Sequence, residues 1–273
     1  MGRLAVSELT TYRWSFEEDV RAYGEAGYDG IAVWRQKLSD YGEEKGAELL
    51  AETGLQVTSL WWTGAFTGSD GRSFDECVTD AKEALQLAQL LGARYLLVHS
   101  GGRNGHTKSH SRRLLLEGLR AVLPLAEEFG VTLLLEPMPP GCAGPWTFLT
   151  SLDDARELID TVDSDFVKVA LDTYLFGHER RLPRRMASLV DYLGVVHLAD
   201  ASDPPCPEVR RRRLGRGHLP LAEILGALHD AGFDGDYEVE IMGEEIEGAD
   251  YFQLLTEQAE AFRTLWRECA AAP

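Results

Sequence analysis

A chain of 273 residues with 44% apolar and 26% charged residues has an ordinary globular composition, which excludes the disordered and fibrous classes. Acidic residues outnumber basic ones by 45 to 27, and the formal net charge of -18 disfavours nucleic acid and anionic membrane surfaces as partners. Four cysteines, Cys77, Cys142, Cys206 and Cys269, lack CxxC spacing, so neither a disulfide framework nor a structural zinc site is expected.

The opening stretch MGRLAVSELTTYRW has no long apolar segment of the secretory kind. No apolar run approaches the ~20 residues needed to span a bilayer. Reduced thiols and these absences lead us to expect a cytoplasmic protein with no membrane partner. Met1-Gly2 lacks the context of a lipid-anchor signal.

The first apolar run is 4–6. A helix-like stretch, 15–26, follows, where Ser15 and Glu18 have capping-box spacing. Next come the run 30–34 (GIAVW) and a helix at 39–53, then 55–62 (LQVTSLWW) and a helix at 73–91. The run 95–99 (YLLVH) precedes a helix at 109–129, and 131–136 (VTLLLE) precedes one at 151–162. The run 166–172 (FVKVALD), a helix at 180–192, the run 195–198 (VVHL) and a helix at 219–231 follow. The run 237–241 (YEVEI) and a helix at 249–269 close the chain. Each apolar run is rich in Leu or β-branched residues, as strands buried on both faces should be. Gly27, Gly54, Gly92, Gly130, Gly194 and Gly232 stand just past helix-like stretches, where glycine caps are expected. Eight such alternations over 1–273 predict one domain, a single (β/α)8 TIM barrel with a parallel eight-stranded barrel and outer helices. A doubly wound sheet is the alternative, weakened by the lack of a Gly-rich fingerprint after the first strand.

Barrel chemistry sits at the C-terminal ends of the strands. His99, Glu136, Asp172, His197 and Glu240 each close an otherwise apolar run there. Buried like charges repel unless a cation compensates them. Two Glu, one Asp and one His form a hard, oxygen-rich ligand set that suits Mn²⁺ first, with Mg²⁺, Co²⁺, Zn²⁺ or Fe²⁺ also compatible. Such a metal polarises a carbonyl, and a carboxylate beside it moves a proton at carbon. Trp14, Trp34, Trp61, Trp62 and Trp146 are expected at the same face, with Trp14, Trp34, Trp62 and Trp146 as pocket walls for a sugar-sized ligand.

The runs GYDGIAVW, LLVHSGG, LLLEPM, VALDTYLF, VVHLADA, LGRGHLPL and DYEVEIMG resemble the xylose isomerase-like TIM-barrel superfamily, in its sugar phosphate isomerase/epimerase branch. The resemblance covers nearly the whole chain. It implies that Glu136, Asp172, His197 and Glu240 are metal ligands. It also implies that Glu136 and Glu240 are an acid/base pair, that His99 contacts substrate, and that relatives are often oligomers, so a homo-oligomer is an open expectation. Arg211, four residues before Gly215 in the Gly215-Arg216-Gly217 turn, matches a substrate-contacting arginine of the ketose 3-epimerases. The pattern departs at Leu175, where many relatives carry histidine, and at Cys142, where the epimerases carry a sugar-holding glutamate. Arg211 and Leu175 favour a one-metal carbohydrate enzyme over a three-zinc nuclease.

The resulting expectation is a metal-dependent isomerase or epimerase of a ketose, keto-polyol or derivative. The alternative on the same residues is a lyase or dehydratase acting on a keto-sugar, an inosose or a 3-keto-glycoside. An apurinic-site endonuclease-like phosphodiesterase and a non-catalytic barrel rank below both. The run Arg210-Arg211-Arg212-Arg213 reads either as solvated surface or as an anion clamp over the pocket.

Overall fold

The computed structural model describes residues 2–271, so Met1, Ala272 and Pro273 of the expected 1–273 domain lie outside the described residues. Eight strands alternate with helices, in the order β1 (Arg3–Ser7), α1 (Phe16–Glu25), β2 (Gly30–Trp34), α2 (Arg35–Tyr41), α3 (Glu43–Thr53), β3 (Gln56–Gly64), α4 (Phe74–Leu91) and β4 (Tyr95–His99). The second half runs α5 (Lys108–Phe129), β5 (Thr132–Leu135), α6 (Pro140–Ala143), α7 (Leu152–Val162), β6 (Val167–Asp172), α8 (Thr173–Phe176) and α9 (Leu182–Leu189). It ends with β7 (Leu193–Leu198), α10 (Leu221–Asp230), β8 (Asp236–Val239), α11 (Glu244–Glu247) and α12 (Tyr251–Ala271). The strands close in sequence order into one parallel barrel, β8 pairing with β1. The (β/α)8 expectation is therefore met.

Strand alternation explains the two surfaces of the barrel wall. Outward residues such as Leu96, Val98, Leu133 and Leu135 join Leu85, Ala88, Leu119 and Val122 of the helices in one large core. Inward residues Leu97, Leu134, Ala170 and Val195, with Tyr95, fill the barrel itself. Two positions further along, the same inward faces deliver His99, Glu136, Asp172 and His197 to the mouth.

The helix caps follow the sequence closely. Ser15 with Glu18, and Ser73 with Glu76, form complete capping boxes. Gly54, Gly92 and Gly130 end their helices in the left-handed conformation. Gly194 does not cap a helix but lies inside β7, where an added Cβ would meet Leu134 at 2.5 Å. The helix expected at 39–53 starts earlier, at Arg35, and breaks at Gly42, whose φ is 108°. The helix expected at 180–192 is limited to Leu182–Leu189 and ends in a 3-10 turn at Val190–Tyr192; its Pro183 fits only a first turn. Among the described residues, no helix is long and apolar enough to cross a membrane.

A buried polar knot anchors the loop between β1 and α1. Lys37 donates to the backbone oxygens of Glu8 and Thr11 and pairs with Asp19. Glu8 accepts from Trp34 N at 2.6 Å and faces Asp19. Burial, and then the Asp19 charge, push the Glu8 carboxyl well above its ordinary range. The folded state thus keeps a proton on Glu8 that the unfolded chain releases, so this group's contribution falls as pH rises above about 4.3. Glu8→Gln is therefore expected to match or exceed the wild-type melting temperature at pH 8, and to show a smaller loss between pH 5 and pH 8. A variant less stable than wild type at pH 8 in a calorimetric pH series would contradict this protonation state.

Candidate active site

The C-terminal mouth of the barrel opens on a cavity of about 350 Å³. His99, Glu136, Arg211 and Glu240 form its polar floor, and Trp34, Trp61, Trp62 and Trp146 stand in its walls. Asp172 and His197 lie fully buried beneath.

Glu136, one residue past β5, is held at both oxygens. His197 Nδ1 donates to Oε1 at 2.8 Å, and His99 Nε2 approaches Oε2 at 3.1 Å. Burial alone would raise this carboxyl, but the two histidines hold it well below the usual carboxylate range. Donation through Nε2 leaves His99 Nδ1 a buried atom with no partner. The His99 ring stacks on Trp62 at 5.2 Å and meets Trp61 and Trp146 edge-on.

Asp172 ends β6 and caps α8, its Oδ1 accepting from Tyr174 N at 2.7 Å and Leu175 N at 3.3 Å. That fixes Oδ2 toward Arg211, whose Nη2 lies 2.7 Å away. The same Nη2 is 2.9 Å from Glu240 Oε1, and Nη1 donates to the Glu240 backbone oxygen. Burial raises Asp172 while Arg211 pulls it down. Burial likewise raises Glu240 to about 7, against the lowering charges of His197 and Arg211. Glu240 Oε2 has no hydrogen-bond donor, and His197 Nδ1 lies 3.8 Å from it.

His197 has a carboxylate on each side. Its Nε2 lies 3.2 Å from Glu238 Oε2, close enough for an ion pair though angled away from a good hydrogen bond. Glu238 also accepts from Thr58 Oγ1 at 2.6 Å and Ser59 Oγ at 3.1 Å. Burial disfavours a charged imidazole, but Glu240, Glu136 and Glu238 raise His197 well above its ordinary value. Strand alternation could have found Glu238: it sits two residues before Glu240 on the same inward face of β8. Two residues further back, Asp236 closes the barrel floor with Arg3 and Arg94.

Glu136, Asp172 and His197 could together hold a metal ion, since one ligand atom from each lies within 4.8 Å of the others. Glu240 stands beside this trio, nearest to His197 and Arg211. Four buried carboxyl groups, Glu136, Asp172, Glu238 and Glu240, face one guanidinium and two imidazoles, those of His99 and His197. The donor set and the orphaned Glu240 oxygen fit a hard divalent cation.

Other expected residues fall elsewhere. Trp14 is absent from the cavity lining and packs edge-on against Tyr251 at 5.3 Å. Trp34, Trp62 and Trp146 do line it, and so does Trp61. A register shift between Leu60 and Thr63 interrupts the alternation of β3 next to both neighbouring tryptophans. The arginine run does not assemble an anion clamp. Arg211 turns inward, whereas Arg212 pairs with Glu245 and Arg213 with Glu245 and Glu257. Asp200 serves the loop that follows it, accepting from the backbone of Ala201, Gly217 and Leu219. His178 meets the backbone oxygen of Asp203. Leu175 and Cys142, noted above as departures, both line the cavity, as do Met138 and Met242, two residues past Glu136 and Glu240.

Comparison with known proteins agrees with this architecture. The chain is 25% identical over 202 residues to the inosose isomerase of Bacillus subtilis (strain 168), covering 71% of this chain and 68% of that protein. It is 26% identical over 154 residues to a probable endonuclease 4 of Mesomycoplasma hyopneumoniae (strain J), covering 52% of this chain and 54% of that one. The chain thus spans about half the length of the second relative. A crystal structure of a protein from Sinorhizobium meliloti 1021 superposes with a TM-score of 0.87 at 27% identity, covering 96% of this chain and 98% of that one. The sequence profile described as xylose isomerase-like TIM barrel matches residues 20–265, and this chain belongs to that family.

Proposed function

We propose that the chain is a divalent-metal-dependent sugar isomerase or epimerase whose substrate presents a carbonyl to the barrel mouth. The observation that carries this reading is the convergence of Glu136, Asp172 and His197, with Glu240 beside them, at the floor of a cavity. Likeness to a sugar isomerase adds support. In this reading those four residues hold the ion, with Mn²⁺ the first choice. When bound, the metal would polarise the substrate carbonyl and acidify the neighbouring C–H.

The two glutamates play unequal parts. Glu240 has a buried Oε2 with no hydrogen-bond donor, so it can take the proton from carbon and return it. Glu136 has both oxygens engaged by histidines, which suits it to orienting and to relaying a proton rather than storing one. Arg211 keeps Glu240 in place from its other side. Glu238 acts through His197, taking the Nε2 side so that Nδ1 faces the ligand group.

Calorimetric titration with Mn²⁺ tests the site directly. One ion per chain is expected, with binding abolished in the double variant Asp172→Asn, His197→Ala. Glu238→Gln is expected to weaken the affinity by about 10- to 100-fold, the usual effect of removing a group that orients a ligating histidine. Absence of stoichiometric Mn²⁺, Co²⁺ or Zn²⁺ binding would sink the metal reading. An unchanged affinity in Glu238→Gln would remove that residue's positioning role alone.

A further inference from the structure

We infer that Trp61 is a specificity-determining residue whose indole N–H, together with Nδ1 of His99, holds one hydroxyl group of the substrate. This rests on the reading of the barrel mouth as a carbonyl-processing site and adds a recognition element in its wall. Of the tryptophans that line the cavity, Trp61 is the one whose Nε1 is both buried and without a hydrogen-bond partner. Indole carries a donor and no acceptor, and a buried indole N–H normally finds a partner. Leaving it unpaired costs the desolvation of that group, so the orphan calls for a specific explanation.

The neighbouring orphan is an acceptor. His99 turns Nε2 to Glu136 at 3.1 Å, and the nitrogen left over, Nδ1, is buried without a partner. The rings of Trp61 and His99 meet edge-on with centroids 5.7 Å apart. Among the described residues, the other buried, unpaired atoms of the cavity lining belong to Arg211 and Glu240, which form an ion pair with each other. One donor and one acceptor on adjoining rings are the complement of a hydroxyl, which accepts at oxygen and donates its hydrogen. A carbonyl or ether oxygen would satisfy Trp61 alone, and a methylene would satisfy neither. The contact of His99 with Glu136 seats this hydroxyl on the Glu136 side of the site.

Trp61 is held for that task. Its ring packs on the cluster that fills the barrel. Just beyond it, Arg35 Nη1 donates to the Trp62 backbone oxygen at 3.1 Å, and Thr63 Oγ1 donates to Asp80 at 2.6 Å. Arg35 and Asp80 are themselves paired at 3.0 Å. Side chains of α2 and α4 thus fix the end of β3. A donor fixed in advance loses little freedom on binding, and a site built to bond a hydroxyl rejects analogues that lack it.

The test uses the full chain labelled with ¹⁵N in its tryptophans and loaded with diamagnetic Mg²⁺. Six tryptophans give six indole N–H signals, and the one missing from Trp61→Phe identifies Trp61. D-fructose, D-psicose and scyllo-inosose are titrated in turn. At least one is expected to move the Trp61 indole proton downfield, the direction a new hydrogen bond imposes, and further than any other indole. Deuterium uptake by Mn²⁺-loaded Trp61→Phe is expected with KM raised about 5- to 100-fold and kcat within about threefold of wild type. Monodeoxy analogues of the responding compound then locate the hydroxyl: one of them should lose the same factor with wild type and much less with Trp61→Phe. A Trp61 signal unmoved by all three compounds, or a KM within about twofold of wild type in Trp61→Phe, would overturn the inference while wild-type exchange leaves the carbonyl chemistry standing. A Trp61 shift without deuterium exchange in any compound keeps the inference, and the catalytic reading then fails.

Discussion

Glu240→Gln is expected to slow proton removal from carbon by about 10²- to 10⁴-fold at saturating Mn²⁺, the range associated with loss of a positioned general base. Glutamine preserves the volume and an oxygen that can face a metal, but it cannot accept the proton. Wild-type Glu240 is suited to that exchange because its buried Oε2 has no competing hydrogen-bond donor. The effect should therefore fall on kcat and persist when metal is no longer limiting. Exchange within fivefold of wild type under those conditions would assign the base elsewhere. The matching change at Glu136 should act differently. Glu136→Gln removes the acceptor shared by His197 and His99, so loosened metal binding is expected to accompany the loss of rate.

Arg211→Met is expected to lower the melting temperature in EDTA by about 10 °C. The guanidinium is buried between Asp172 and Glu240, and removing one partner from a buried ionic group typically costs about 3–5 kcal/mol. Methionine retains much of the stem volume, so the loss reports on charge rather than on a cavity. A divalent ion compensates the same two carboxylates. Mn²⁺ at a hundred times its dissociation constant should return about 2.7 kcal/mol. At one fixed Mn²⁺ concentration the gain should be larger in the variant than in wild type, where the guanidinium already occupies one side of both acids. An unchanged melting temperature in EDTA would mean that the acids are neutral without Arg211.

Why the sequence leads this far can be followed strand by strand. A polar residue closing an apolar run is a strong signal when the wall of a barrel sets a period of two. LLVH, LLLE, VALD and VVHL therefore place His99, Glu136, Asp172 and His197 at one mouth before any tertiary contact is known. The same rule carries Glu238 inward with Glu240, but its role depends on which nitrogen of His197 it meets, and that is a matter of register between β7 and β8. Trp61 and Trp62, both expected at this face, both reach the cavity although they are sequence neighbours, because β3 changes register beside them. Trp14 follows the first strand in sequence, yet the β1–α1 loop, pinned by Lys37, leaves its ring against Tyr251. The arginine run shows the limit of composition most clearly. Four adjacent arginines look alike in sequence, and only the path of the loop from β7 to α10 decides that Arg211 enters the floor while Arg212 and Arg213 meet surface acids. The apolar character of the upper cavity is also a tertiary property, since its residues come from loops after most of the strands.

The central question is whether the buried acids beneath the C-terminal cavity hold a metal that enables proton exchange at carbon. The direct measurement is NMR in D₂O with a panel of ketoses, inososes and 3-keto-glycosides, run on Mn²⁺-loaded protein and on the same protein stripped with EDTA. Deuterium uptake is expected at a carbon next to the carbonyl of at least one compound with loaded protein, with loss on stripping and return when Mn²⁺ is restored. Exchange that persists undiminished after complete stripping, or none with any compound while one ion per chain is bound, would contradict this expectation.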